Sequence, residues 1–96
     1  LRPAFKPDGS VTAGNASQLS DGAASVLLAS EAALKKYNLT PLARVVGYAT
    51  AGVSPKTIFT APVPAVRMVL EKSGWKTSDV DLFELNEAFA AQMLAC

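Results

Sequence analysis

Apolar and polar positions recur at helical spacing in the second half of the chain. The pattern predicts a helix that begins at Pro62 or Pro64 and runs to about Ser73, with apolar side chains three and four residues apart. Either proline suits a first helical turn, where a missing N–H costs little. Gly74 follows as a natural residue for the position just after a helix.

A second helix is predicted over 31–37. Ser30 is placed to cap its first turn, Glu31 brings negative charge early, and Lys35 and Lys36 bring positive charge late. This order of charges complements the helix dipole.

Four shorter blocks complete the pattern. The alternation in 80–85 predicts a strand over 82–85, the block 43–50 reads as another strand, and the alanine-rich 88–96 reads as a buried helix. The apolar run 22–29 is compatible with a strand or a helix on periodicity alone. Strands and helices at this spacing make βαβ units, whose crossovers are almost always right-handed.

Turn-forming residues separate these blocks. Proline, glycine, asparagine and serine concentrate in the predicted connections. The connections are a loop at 1–10, a structured loop with room for one helical turn at 12–21, a linker at 38–41, an irregular loop at 52–59 and a turn at 78–81.

Composition limits the classes of function. The chain has 96 residues, of which 50% are hydrophobic and 18% charged, so we expect its faces to be covered by further protein. A net charge of +1 without a basic run gives no support to nucleic-acid binding. No apolar stretch approaches the roughly 18 residues of a membrane span. A sequence that starts at Leu1 rather than Met is expected to belong to a longer chain.

Histidine is absent and cysteine occurs once. The lack of histidine excludes a histidine-activated nucleophile within this chain and leaves no zinc-type ligand cluster, so no metal is expected. Cys96 has no partner for an internal disulfide, which fits a reducing compartment. We interpret it as a buried structural thiol near a helix end.

The pair Asn86-Glu87 stands between the last predicted strand and the last helix. Open α/β sheets place ligand-handling groups at this kind of junction. Asparagine is also a favoured N-cap, and on spacing alone capping is the better interpretation.

Two longer motifs change that balance. The segment 11–24, VTAGNASQLSDGAA, together with 86–90, NEAFA, resembles the thiolase family of acyl-CoA acetyltransferases and 3-ketoacyl-CoA thiolases. The similarity extends over the whole chain, through LRPAF at 1–5, GVSPK with APVPA in the middle, and GW with DVDLFE before the second motif.

The resemblance implies a fold. Thiolases consist of two similar α/β halves, each layered helix-sheet-helix, and residues 22–29 are then a buried strand. Residues 1–38 are expected to end the N-terminal half, and residues 39–96 to begin the C-terminal half.

The resemblance also assigns site residues around the second motif. Asn86 matches the asparagine that holds an ordered water in an oxyanion hole, which makes function the preferred interpretation over capping. Glu87 either orients a catalytic group or is a first-turn carboxylate favoured by the dipole, and we favour the former. Ala88 and Phe89 match pocket-lining positions, although Phe89 also suits a core.

Ala13, Gly14 and Ser17 match the loop along the pantetheine arm of coenzyme A, and Phe5 is expected beside the same ligand. A tight turn that needs the dihedral freedom of Gly14 is the alternative. Many family members have glycine where this chain has Gln18, which leaves the local loop geometry open.

The implied function is acyl transfer between acyl-CoA and coenzyme A, with coenzyme A as substrate and no permanently bound cofactor. We expect a cytoplasmic homodimer or homotetramer of fatty acid metabolism, with no membrane or nucleic-acid partner and an inactive 96-residue chain, because the family's reactive cysteines and histidine have no match here. The alternatives are a non-catalytic thiolase-like protein that binds acyl-CoA or lipid, and a pure assembly segment.

Overall fold

The computed structural model describes all 96 residues and contains three α-helices. Two short 3₁₀ helices, Pro55–Thr60 and Thr77–Asp79, stand before and after the second of them. The α-helices are α1 (Glu31–Tyr37), α2 (Pro62–Ser73) and α3 (Ala90–Ala95).

Helix α1 has the bounds and the capping that its sequence predicts. The Ser30 hydroxyl oxygen accepts a hydrogen bond from the N–H of Ala33 at 3.2 Å. Glu31 and Lys35, one turn apart on the exposed surface, form an ion pair of 3.3 Å. Asn38 ends the helix with a φ of 50°, a left-handed conformation that asparagine tolerates. Local sequence therefore accounts for this helix.

Helix α2 also confirms its prediction. Pro62 is its first residue, and Gly74 ends it with a φ of 68°. A β-carbon on Gly47 would lie 3.0 Å from the hydroxyl oxygen of Ser73, so the chain around Gly47 passes close to the end of this helix. Glycine at that position permits the close approach.

Helix α3 is shorter than predicted. It begins at Ala90 rather than at residue 88, and Phe89 occupies the N-cap position with extended dihedrals. The two residues before the helix are taken up by backbone pairing with a distant loop, which prevents them from joining the helical turn.

The three predicted strands are not observed. Residues 22–29, 43–50 and 82–85 carry no ladder, and the only pairings in the chain are two isolated antiparallel bridges. A strand needs a neighbour to receive its hydrogen bonds, and these segments find none within the 96 residues. The layered helix-sheet-helix arrangement is therefore not confirmed by this structure.

Apolar side chains on the run 22–29 show what these segments lack. Val26, Leu27 and Leu28 are 80%, 81% and 78% exposed. Successive side chains of a strand point to opposite faces, so such a run suits a strand that is covered on both sides. The prediction of burial is wrong for this run, because nothing within the 96 residues covers it.

The overall shape is elongated. The radius of gyration is 18.3 Å, against about 12.5 Å for a compact domain of this length. No residue is buried. None of the helices has the length and apolar character that a bilayer crossing requires.

Candidate functional site

The two motifs of the sequence meet in space. Residues 15–17 and 88–90 run antiparallel, with an isolated bridge between Ala16 and Phe89. Two backbone hydrogen bonds of 3.0 Å flank the bridge, Ser17 N–H to the Ala88 carbonyl and Ala90 N–H to the Asn15 carbonyl. The loop near the N-terminus is thereby fixed against the entrance to α3.

A side-chain hydrogen bond strengthens this junction. The hydroxyl of Ser17 donates to the backbone carbonyl of Glu87 at 2.5 Å. On the other side of that carbonyl, the N–H of Ala88 donates to the carbonyl of Asn86 at 2.9 Å, which closes a tight turn centred on Glu87. The backbone that carries the predicted catalytic pair is therefore held from both directions.

Asn86 does not cap a helix. It lies four residues before the first residue of α3, and the N-cap position belongs to Phe89, which makes no side-chain cap. The amide of Asn86 makes no hydrogen bond within the chain and faces an open concavity. The capping interpretation is wrong, and the amide is left with its donors and acceptor available.

Asn15 organises the loop opposite, and sequence reasoning did not single it out. Its side-chain oxygen accepts from the N–H of Thr12 at 2.7 Å, and its side-chain nitrogen donates to the carbonyl of Ser10 at 2.9 Å. Asparagine and threonine commonly close short loops through such bonds, and this local signal was available in the sequence. The structure shows that the side chain of Asn15 shapes the loop while its carbonyl reaches α3.

Gly14 is not needed for the backbone dihedrals of a tight turn, which was the alternative interpretation. Gly74 is the glycine with positive φ, so Gly14 needs no special dihedrals. A β-carbon on Gly14 would instead lie 2.8 Å from a methyl carbon of Leu1. The absence of a side chain leaves room for the N-terminal residue beside the loop.

The predicted site residues line two adjoining concavities. The first has a volume of about 540 Å³, and Glu87 belongs to both. The first concavity is also lined by Ala13, Ser17 and Asn86. The second is lined by Gly14 and by apolar residues of α3. Both are open surface depressions, and their lining combines small residues with an amide, a hydroxyl and a carboxylate.

Three predicted ligand contacts lie elsewhere. Ala88, Phe89 and Phe5 line neither concavity. Phe89 packs edge-to-face on Phe59, with ring centroids 5.0 Å apart and an interplanar angle of 78°, so the structure shows its packing role. Their contact with a ligand stays a prediction.

The prediction that Cys96 is a buried thiol is wrong. Cys96 is exposed rather than buried, with its sulfur 3.7 Å from the carbonyl oxygen of Phe59. It shares one face of α3 with Phe89 and with Gln92, whose side-chain oxygen is shielded from solvent without a donor. The helix contacts the 3₁₀ helix 55–60.

Two family models match the chain. Residues 1–32 match the thiolase N-terminal domain, and residues 39–96 match the thiolase C-terminal domain. The chain belongs to the thiolase family.

Individual relatives agree with this membership. The chain is 58% identical to an acetyl-CoA acetyltransferase of Paracoccus denitrificans and 56% identical to the mitochondrial 3-ketoacyl-CoA thiolase of Homo sapiens, over 95 residues in each case. These alignments cover 99% of this chain and 24% of each relative. The chain thus spans about a quarter of the length of the curated relatives it matches.

Solved structures show the same fold segment. The crystal structure of the Bacillus anthracis acetyl-CoA acetyltransferase superposes with a TM-score of 0.92 at 59% identity, and that of human mitochondrial 3-ketoacyl-CoA thiolase with 0.93 at 56%. Each comparison covers 99% of this chain and 24% of the other. The elongated path of the backbone is therefore the path of the corresponding quarter of these thiolases.

Proposed function

We propose that this chain provides the ligand-handling centre of a thiolase that makes or cleaves 3-ketoacyl-CoA by acyl transfer between acyl-CoA and coenzyme A. The observation that carries the proposal is the junction of the two motifs, where Ser17 is bonded to the turn of Asn86 and Glu87 beside an open concavity. The names of the relatives support the same chemistry.

Asn86 is assigned to an oxyanion hole through an ordered water. Bond making or breaking beside a thioester places negative charge on an oxygen, and a fixed donor lowers the energy of that state. A neutral amide can accept a hydrogen bond from the water and keep it aimed. The free amide of Asn86 and its tied backbone suit this task.

Glu87 is assigned to orienting a catalytic group. Its carbonyl is occupied by Ser17, while the residue itself lies at the boundary of both concavities. The alternative role as a first-turn carboxylate is not supported, because α3 begins only at Ala90.

Ala13, Gly14 and Ser17 are assigned to the pantetheine arm of coenzyme A, which is a substrate and not a resident cofactor. Small residues let the backbone approach a thin ligand, and these three line the concavities beside Glu87. Ala88, Phe89 and Phe5 are proposed to reach the ligand from the rim.

The organisation of the whole enzyme is part of the proposal. Residues 1–38 end the N-terminal half and residues 39–96 begin the C-terminal half, with the site at their junction. The complete protein is proposed to act as a cytoplasmic homodimer or homotetramer in fatty acid metabolism. The 96-residue chain, which has no histidine, is proposed to be inactive alone.

Exchange of Asn86 tests the proposal in a full-length host. The host is the acetyl-CoA acetyltransferase of Paracoccus denitrificans with its matching segment replaced by this chain, a segment 58% identical. Asn86→Ala should lower kcat by roughly ten- to a thousand-fold, the range for losing one oxyanion donor, with a thermal midpoint close to that of the parent.

Asn38→Gly is the matched control. It removes another amide side chain at a left-handed position that glycine tolerates, and kcat should not change. Near-normal kcat in Asn86→Ala would contradict the assignment of Asn86 to an oxyanion hole. A parent host that binds acyl-CoA without turnover would favour the non-catalytic binding protein instead.

A further inference from the structure

The turn 86–88 has all three of its carbonyl groups engaged. The carbonyl of Asn86 accepts from Ala88 N–H, that of Glu87 from the Ser17 hydroxyl, and that of Ala88 from Ser17 N–H. Ser17 therefore supplies two of the three donors that fix this turn. The remaining donor belongs to the turn itself.

The hydroxyl bond is the part of this arrangement that a side chain controls. The Ser17 N–H would survive most substitutions, but the bond to the Glu87 carbonyl requires the hydroxyl. A hydroxyl has one proton, and here that proton is committed to the protein. Towards a ligand, Ser17 can then only accept.

The orientation of Asn86 depends on the neighbouring peptide. Asn86 has no side-chain partner of its own, so its direction is set by its rotamer and by the turn that carries it. A displacement of about 1 Å in a positioning group can cost a hundredfold in rate. Loss of the bond would leave the Glu87 peptide held only by the Ala88 N–H, and the turn that carries the Asn86 amide could then shift.

We propose that Ser17 is a positioning residue, which holds the Glu87 peptide through its hydroxyl and thereby aims the amide of Asn86. The inference rests on the proposed function for its effect on turnover, whereas its structural part does not depend on that function. It assigns to Ser17 a role in kcat that contact with the pantetheine arm does not predict.

Kinetics in the full-length host separate the two roles. Ser17→Ala should lower kcat at least tenfold with less than a threefold change in KM for acyl-CoA, and Ser17→Thr, which keeps the hydroxyl, should recover most of the loss. In an Asn86→Ala background, Ser17→Ala should lower kcat no further, because the group that it aims is gone.

Ser73→Ala is the matched control for the loss of a serine-to-carbonyl bond. The Ser73 hydroxyl donates to the Val69 carbonyl at 2.7 Å within α2, outside the turn 86–88, and Ser73 lines neither concavity. Its replacement should leave kcat unchanged. A rise in KM with normal kcat in Ser17→Ala, or fully additive losses with Asn86→Ala, would overturn the positioning role.

A crystal structure of the Ser17→Ala host tests the inference independently of activity. The expected result is a displaced Asn86 amide and a rotated Glu87 peptide. An unchanged turn overturns the inference even if kcat falls. If Asn86→Ala keeps normal kcat while the turn moves in Ser17→Ala, the proposed function of Asn86 fails and the structural role of Ser17 stands.

Discussion

The chain by itself should unfold without a cooperative transition. Its accessible surface is 8831 Å² for a mass of 10.0 kDa, whereas a compact protein of that mass exposes about 5200 Å² and an extended chain about 14,500 Å². Unfolding would thus expose roughly 5700 Å² instead of the roughly 9300 Å² of a compact domain. The urea m-value scales with this area, so it should be no more than about 60% of that of a compact 96-residue domain.

Calorimetry and urea titration of the purified chain, with sedimentation to establish its mass, measure this directly. A compact domain of 96 residues would give an unfolding enthalpy of about 67 kcal/mol near 60 °C. We expect no such endotherm, a broad loss of helical signal and self-association through the bare apolar segments. The full-length host is the control, and it should melt cooperatively. A reversible two-state endotherm near that enthalpy from a monomer would refute the reasoning.

The remaining predictions concern activity and local stability. The 96-residue chain alone should not thiolyse acetoacetyl-CoA, and turnover above a buffer blank would contradict this. In the full-length host, Ser30→Ala should lower the free energy of unfolding by about 1 kcal/mol through the lost cap on Ala33. Ser30→Asp should restore it, and equal urea midpoints for parent and Ser30→Ala would argue against a working cap. Asn86→Ala should change kcat and leave that midpoint in place.

Helices were predictable where the determining information is local. Ser30, Asn38 and Gly74 occupy the ends of α1 and α2 with the capping geometry that their residue types favour. The beginning of α3 was misplaced because Ala88 and Phe89 pair with residues about 70 positions away, which no local window contains.

The three predicted strands were wrong because strand formation also depends on distant residues, which must supply a neighbouring strand. The run around Leu27 has the composition of a strand covered on both faces, but a ladder exists only when a neighbour is present. The same limit explains the error on Cys96, whose apolar context suggested burial although no layer covers it here.

Site residues were predicted through motifs and not through physics alone. Ser17 and Asn86 lie on opposite sides of one junction, and nothing in their separate surroundings reveals that they meet. The bond from Ser17 to Glu87 joins segments 70 positions apart, so no local pattern reveals it, whereas the loop bonds of Asn15 had a local signal in the sequence.

The bond from Ser17 to Glu87 spans 70 positions of sequence, and this has a consequence for the order of folding. Closing a flexible loop of that length costs roughly 4 kcal/mol in chain entropy. The three hydrogen bonds of the junction, at an average of about 1 kcal/mol each, return only about 3 kcal/mol. The junction should therefore form late, after other parts of the protein have brought its two segments together. Pulse-labelled hydrogen exchange in the host should therefore show the amides of Ser17 and Ala90 gaining protection last. The concavity that both motifs line would then be absent until folding is nearly complete.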